Sequence, residues 1–103
     1  MENNKETYPV VVLCGSNRFK EEFEKVSREL TLSGHIVIPL SIYRYDGVNL
    51  NKDQINTLTN IQYQKIDMAD EIYVINKYGY MGSGTIKEIE YAKSKGKVIR
   101  YME

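Results

Sequence analysis

Short apolar runs alternate with longer amphipathic segments along this chain, and that alternation restricts its possible folds more than any other feature. The residues from Pro9 to Cys14 form a continuous run rich in β-branched side chains, which is typical of a strand buried on both faces. Similar runs predict further strands at 35–40, 71–76 and 97–102. Amphipathic segments between the runs predict helices over about 18–33, 52–68 and 85–95.

Strands that alternate with helices in this way favour a parallel sheet with right-handed crossovers and helices on both faces. We therefore expect an α/β fold, a three-layer Rossmann-like or flavodoxin-like sandwich with a small parallel sheet in the order 2-1-3-4. A length of 103 residues allows one core, so residues 9–103 are expected to form a single domain. Residues 1–8 are mostly polar and are expected to form a short flexible start.

The charge balance and the cysteine count exclude several classes of protein. The chain carries 14 basic and 14 acidic residues, which argues against nucleic acid as a partner. No apolar run is long enough to span a membrane, and the single cysteine, Cys14, fits a reducing compartment, so we expect a cytoplasmic protein. No cluster of Cys, His and acidic residues indicates a metal, and no other cofactor is expected. Nine tyrosines favour a homodimer or a higher homo-oligomer, which the zero net charge does not oppose.

Loops at the carboxyl ends of the strands are the expected place for a ligand. In open parallel sheets, ligands bind outside these ends, near the point where the strand order reverses. Three predicted loops meet there, at residues 15–18, 41–51 and 76–85. Polar and aromatic residues within them are therefore candidates for a ligand site.

The third of these loops is rich in glycine and precedes a helix. Gly82 and Gly84 let a backbone approach a ligand closely, and the helix that follows offers free N–H groups. Ser83 and Thr85 add hydroxyl groups, so an anion or a sugar hydroxyl fits this loop. The alternative is a flexible connection that ends in an ordinary helix cap.

Glu88 is the strongest candidate for a catalytic residue. It lies one turn after Thr85, near the apolar stripe of its helix, and a carboxylate placed there can attack an anomeric carbon. The segment Thr85-Ile86-Lys87-Glu88 also matches a capping box, in which Thr85 and Glu88 only satisfy backbone donors. The neighbouring carboxylate, Glu90, is expected to point to solvent.

The first and second loops supply further candidates. Ser16 and the planar guanidinium of Arg18 can hold a phosphate, although Ser16 or Asn17 also fits an ordinary N-cap followed by a solvated arginine. Tyr43 and Tyr45 can stack on a base, with Arg44 or Asp46 nearby, or can instead form dimer contacts.

Three segments carry a resemblance to a known group: Leu13-Cys14-Gly15-Ser16-Asn17-Arg18, Met68-Ala69-Asp70-Glu71-Ile72 and Gly84-Thr85-Ile86-Lys87-Glu88-Ile89-Glu90-Tyr91-Ala92. Together they resemble the nucleoside 2-deoxyribosyltransferase superfamily, and the similarity covers residues 9–103. The first segment is especially similar to the deoxynucleoside 5′-monophosphate N-glycosidase branch. Residues 82–88 also resemble the nucleotide-binding loop of the cytokinin-activating phosphoribohydrolases.

The resemblance implies cleavage of the N-glycosidic bond of a (deoxy)nucleoside or its 5′-monophosphate, with Glu88 as the nucleophile. It also implies a substrate site formed by Cys14, Gly15, Ser16, Arg18, Tyr43, Gln62, Gly82, Ser83, Gly84 and Thr85. The alternative from another class is a non-catalytic nucleotide-binding or sensing module of the same fold.

Two positions depart from the pattern of that superfamily. Gln62 stands where an acidic residue usually helps to orient the substrate, and glutamine can hydrogen-bond but cannot transfer a proton. Gly82 stands where the monophosphate glycosidases have a phosphate-binding serine, and Ser83 lies beside it. The chain also lacks the C-terminal extension of the transferases, so hydrolysis or simple binding is expected rather than transfer between bases.

Overall fold

A four-stranded, all-parallel sheet lies at the centre of the structure, a computed structural model that describes residues 6–43 and 47–103. Its strands are β1 (Val10–Gly15), β2 (Ile36–Ile38), β3 (Glu71–Ile75) and β4 (Val98–Tyr101). The helices are α1 (Lys20–Leu32), α2 (Lys52–Met68) and α3 (Ser83–Ser94), and a short 3₁₀ turn covers Lys77–Gly79. The strand order β2-β1-β3-β4 confirms the predicted α/β fold and its 2-1-3-4 topology.

The register of the sheet pairs β1 with β2 over Val10–Val12 and with β3 over Val11–Gly15, so only the first half of β1 has a strand on each side. Val12 pairs with Ile38 of β2 and with Ile72 of β3, and Gly15 at the carboxyl end pairs with Ile75. The side chains from Val11 to Cys14 are fully buried, as the continuous apolar run predicts for a strand covered on both faces.

Each face of the sheet has its own core. On one face, α1 packs through a cluster made of Leu13, Phe23, Val26 and Ile75. On the other face, α2 and α3 pack through a cluster made of Val12, Cys14, Ile66, Ala69, Ile72, Val74, Ile89 and Ala92. Because neighbouring strand residues point to opposite faces, Leu13 faces α1 whereas Cys14 faces α2 and α3.

The structure corrects the predicted start of α3. The helix begins at Ser83 rather than at about Thr85, because extended Gly82 is its N-cap residue and the Gly82 carbonyl accepts the first helical hydrogen bond, from Ile86. Thr85 is consequently inside the helix and is only 4% exposed. The capping-box interpretation of Thr85 and Glu88 is therefore wrong, and the Glu88 carboxylate is available for other contacts.

The remaining helix ends differ from the predicted ones only slightly. Helix α1 begins at Lys20 after Phe19, which forms no side-chain cap, so neither Ser16 nor Asn17 caps this helix. Helix α2 has the predicted bounds and begins with a reciprocal capping box between Asn51 and Gln54.

Three findings complete the outline of the chain. Of the expected flexible start at residues 1–8, residues 1–5 lie outside the described part, and residues 6–9 form neither helix nor strand. Among the helices that the structure describes, none is long and apolar enough to cross a membrane. Part of α2 is not covered by the core, since Ile55 and Ile61 are about half exposed, at 50% and 41%.

Candidate functional site

Four polar side chains from three elements converge at the carboxyl end of the sheet. Cys14 lies near the end of β1 and faces the side of α2 and α3. Gln62 and Lys65 lie three residues apart on α2, so they share one helix face. Glu88 lies in the second turn of α3, where its half-buried side chain approaches Cys14 and Gln62.

Gln62 joins these groups through its amide. Its Nε2 donates a hydrogen bond to the Leu13 carbonyl at 3.2 Å and lies 3.6 Å from Cys14 Sγ. Gln62 and Cys14 are also near enough to the Glu88 carboxyl to lower its pKa as hydrogen-bond donors. The position that departs from the superfamily pattern is thus a direct neighbour of Glu88.

The environment of Glu88 disfavours its charged form. Burial raises the pKa of the Glu88 carboxyl, and hydrogen bonds from Gln62 and Cys14, together with the charge of Lys65, oppose that rise only in part. Among the described residues, Glu88 forms no direct ion pair. A carboxylate that is desolvated and has neutral donors keeps more of its nucleophilicity than one bound to a cation.

The pKa values of Cys14 and Lys65, which neighbour Glu88, shift in the directions expected for a partly buried site. Burial, followed by the negative charge of Glu88, raises the pKa of the Cys14 thiol well above its usual value, so Cys14 is a neutral hydrogen-bond donor. Burial lowers the pKa of Lys65, while the nearby Cys14 and Glu88 raise it. Lys65 is fixed by hydrogen bonds of 3.0 Å to the Pro39 carbonyl and to Ser41 Oγ.

Two cavities border Glu88 and Gln62. The larger, of about 230 Å³, has apolar walls formed by Leu40, Ile42, Leu58 and Ile61. Its other lining residues are Gly15, Asn17, Ser41, Thr59, Gln62, Lys65 and Glu88. The smaller, of about 180 Å³, is lined by Thr59, Gln62, Tyr63, Ser83, Gly84, Lys87 and Glu88. The predicted residues Gly15, Gln62, Ser83 and Gly84 therefore surround the predicted nucleophile.

Gly15 is the one glycine of this site whose lack of a side chain is required. Its φ of +147° lies in a region that L-residues rarely adopt, and an added Cβ would lie 2.6 Å from the Ile75 carbonyl oxygen. Any other residue here would displace the end of β1 and, with it, the Cys14 that contacts Glu88.

Ser16 and Arg18 form a separate polar cluster with Tyr80, a residue of the glycine-rich loop. Arg18 Nε donates to Ser16 Oγ at 3.1 Å, Arg18 Nη2 donates to the Tyr80 hydroxyl at 3.2 Å, and the guanidinium carbon lies 4.4 Å from the centre of the Tyr80 ring. A Cβ on Gly82 would lie 3.5 Å from the same hydroxyl. The first and third loops thus meet as predicted, but through the aromatic side chain of Tyr80, which is not among the predicted ligand residues.

Two predicted ligand residues lie elsewhere. The Tyr43 ring packs edge-on against Phe23, with 5.7 Å between the ring centres, on the α1 side of the sheet, and it lines neither cavity beside Glu88. Thr85 lies on the buried face of α3 and lines neither cavity. The candidates Arg44, Tyr45 and Asp46 lie outside the described residues.

Two residues of the site, Lys65 and Tyr80, are missing from the candidates that the sequence yields. The spacing of Lys65 from Gln62 is a signal that could have found it, because residues three apart on a helix share a face. No comparable signal marks Tyr80, whose loop conformation brings it to Arg18. Within residues 6–43 and 47–103, no group of three or more His, Cys, Asp or Glu side chains could hold a metal ion.

The fold and the site together define a small Rossmann-like α/β domain with a half-buried carboxylate beside a cavity at the carboxyl edge of its sheet. The chain belongs to the family described as Domain of unknown function (DUF4406), whose model matches residues 7–101. No curated protein sequence matches the chain.

Proposed function

We propose that this protein cleaves the N-glycosidic bond of a (deoxy)nucleoside or its 5′-monophosphate, in the manner of the nucleoside 2-deoxyribosyltransferase superfamily. The observation that carries the proposal is the placement of Glu88, whose carboxylate borders open space and is held by the neutral donors Gln62 and Cys14. A carboxylate that only stabilised the fold would not need to border two cavities.

The reaction proceeds in two balanced steps. The ionised Glu88 carboxylate attacks the anomeric carbon, the bond from that carbon to the base nitrogen breaks, and its electron pair leaves with the base, which takes up a proton. Water then attacks the anomeric carbon of the glycosyl ester, which releases the sugar, restores the carboxylate and returns a proton to solvent. Because Gln62 cannot transfer a proton, its part is to hold the carboxylate and to hydrogen-bond the substrate.

The surroundings of Glu88 offer places for each part of such a substrate. The larger cavity, with its four aliphatic walls, accepts the base. Ser83 and the free N–H groups at the start of α3 line the smaller cavity and would bind the 5′-phosphate. Ser16 and Arg18 line neither cavity and would contact the phosphate from their cluster with Tyr80. The substrate would then lie across the carboxyl edge of the sheet, with its anomeric carbon at Glu88.

The second candidate function is a non-catalytic nucleotide-binding or sensing module. The observation that favours it is Gln62, which removes the acidic partner that the superfamily usually has beside the nucleophile. The same cavities would then hold a ligand without cleaving it. Release of a free base distinguishes the two functions.

We extend the proposal to the oligomeric state of the protein and to its cellular compartment. Apolar side chains in and near the first half of α2 are exposed, namely Val48, Ile55 and Ile61, and their burial between two copies would complete a homodimer or a higher homo-oligomer. The free thiol of Cys14 fits the reducing cytoplasm. Sedimentation equilibrium tests the oligomer: the mass of a single chain would show that the protein is a monomer.

The experiment that tests the function follows base release by chromatography from a panel of nucleosides and 5′-nucleotides. The parent protein should release a base, and Glu88→Gln should lower kcat/KM by roughly a thousandfold or more, because it keeps the shape but removes the nucleophile. Glu90→Gln is the matched control, since Glu90 lies on the same helix but is exposed. If the parent releases no base from any member of the panel, the hydrolase is excluded and the binding module remains.

A further inference from the structure

The larger cavity combines apolar walls with one positive and one negative group. Its only charged lining residues within the described part of the chain are Lys65 and Glu88, so their formal charges cancel. A phosphate would gain little there, because the carboxylate opposes what the ammonium offers. Four aliphatic side chains and zero net charge instead fit a flat, neutral ring.

Lys65 has a hydrogen bond left to give in this cavity. An ammonium group carries three N–H donors. Two of them are directed to the Pro39 carbonyl and to Ser41 Oγ, each at 3.0 Å. These contacts fix the position of the ammonium, and Lys65 forms no direct ion pair among the described residues, so the third N–H remains for a ligand.

The free N–H of Lys65 determines which chemical group of a ligand it can bind. An ammonium cannot accept a hydrogen bond, so it pairs with a carbonyl oxygen on the ring and not with an exocyclic amino group. When the base departs with the electron pair of the broken bond, negative charge spreads onto such a carbonyl, and the contact with Lys65 strengthens. That contact therefore aids both binding and departure of the base.

We propose that Lys65 determines specificity, selecting a nucleobase that presents a carbonyl oxygen to it in the larger cavity. This inference rests on the proposed function for the assignment of that cavity to the base. It adds the chemical class of the base, a keto-bearing ring, and the residue that recognises it.

The test compares inosine with purine riboside, which lacks the C6 carbonyl oxygen of inosine and the N1 hydrogen that accompanies it. Their dissociation constants are measured by calorimetry on Glu88→Gln protein, which cannot cleave them, and on the same protein with Lys65→Met added. With Lys65 present, inosine should bind roughly 10- to 100-fold more tightly than purine riboside, the range expected for one hydrogen bond to a charged group. With Lys65→Met this preference should disappear.

Two further variants separate recognition from a structural effect. Ser41→Ala removes one tether of Lys65 but keeps the ammonium, so most of the preference should remain. Lys65→Gln keeps an N–H donor if Lys65→Met does not fold, and it should retain part of the preference. Equal weakening of both ligands by Lys65→Met, or no preference while Lys65 is present, would overturn the assignment.

The outcome is independent of the test for base release. A preference for inosine without base release from the parent protein would support the role of Lys65 and exclude the hydrolase. Base release without a preference would support the hydrolase and exclude this role of Lys65.

Discussion

Glu71 and Glu88 are both withdrawn from water, but they lie at opposite ends of the same sheet and have opposite surroundings. Glu71 begins β3 at the amino end and is only 6% exposed. Its two oxygens lie 3.2 Å from His35 Nε2 and 3.5 Å from Arg100 Nε. Glu88, at the carboxyl end, has the neutral donors Gln62 and Cys14 and borders two cavities.

The contacts around Glu71 show what a structural carboxylate looks like in this fold. Its nitrogen partners come from the start of β2 and from β4, so the group links the two edge strands across the sheet. Nearby, Asp70 Oδ2 accepts a hydrogen bond of 2.8 Å from the Val10 N–H and fixes the start of β1. The carboxylates of Glu71 and Asp70 at the amino end of the sheet thus contact groups of the same chain, whereas Glu88 at the carboxyl end borders cavities.

The largest effect that the comparison predicts is a loss of protein stability when Glu71 is replaced. Glu71→Ala should lower the free energy of unfolding by about 2 kcal/mol, because it leaves His35 and Arg100 without their shared partner. Urea denaturation measures the loss, and Glu90→Ala, at an exposed position, should change stability by less than about 0.5 kcal/mol. Equal effects of the two substitutions would show that Glu71 does not link the strands.

A smaller effect of the opposite sign is expected at Glu88. Burial raises its pKa in the folded state, so the folded protein holds this proton more tightly than the unfolded chain does. The stability that this proton contributes is fully present below the unfolded pKa, and it is lost as the pH rises through the higher folded pKa. Glu88→Gln should therefore stabilise the protein by about 1 kcal/mol at pH 8, and by much less near pH 4.

Denaturation curves at the two pH values measure this difference. Glu90→Gln, which removes an exposed carboxylate from the same helix, should show no such pH-dependent gain. If Glu88→Gln destabilises the protein at pH 8, Glu88 resembles Glu71 and the contrast between the two ends of the sheet fails.

The smallest expected effect is a shift in the pH dependence of the proposed reaction. Since the nucleophile must be ionised, kcat/KM should rise with pH as Glu88 loses its proton. Lys65 lowers the pKa of Glu88, so Lys65→Met should move this rise to higher pH. Lys25→Met on α1, on the other face of the sheet, should leave the profile unchanged. A rise at the same pH in both variants would mean that Glu88 is not the titrating group.

The sequence is more informative about the backbone than about the site. Helix α2 has the bounds that its pattern predicts, because Asn51 and Gln54 form a local cap. Yet Ile55 and Ile61, two apolar residues of the same helix, are about half exposed. Helical spacing reports which side chains share a face, but not whether another element covers that face.

The site residues show the same contrast between what a local pattern predicts and what tertiary packing decides. Glu88, Gly15, Ser83 and Gly84 could be identified because each lies in a recognisable local pattern at a strand end or in the first two turns of a helix. Gln62, in the interior of α2, could be identified only through the resemblance to the superfamily. The misjudged Thr85 depends on a shift of two residues in the start of α3, which the backbone of Gly82 decides. Tyr43 could not be placed from its loop, since packing against Phe23 takes its ring to the other side of the sheet.

By itself, therefore, the sequence determined the order of strands and helices, the parallel sheet, and the presence of a carboxylate one turn into the last helix. These properties follow from local periodicity and from the general handedness of β-α-β crossovers. Only the tertiary structure decided that Lys65 and Gln62 approach Glu88, and that Tyr80 covers Arg18. Such encounters join residues more than twenty positions apart, and they depend on how each helix is rotated against the sheet and on the path of each loop.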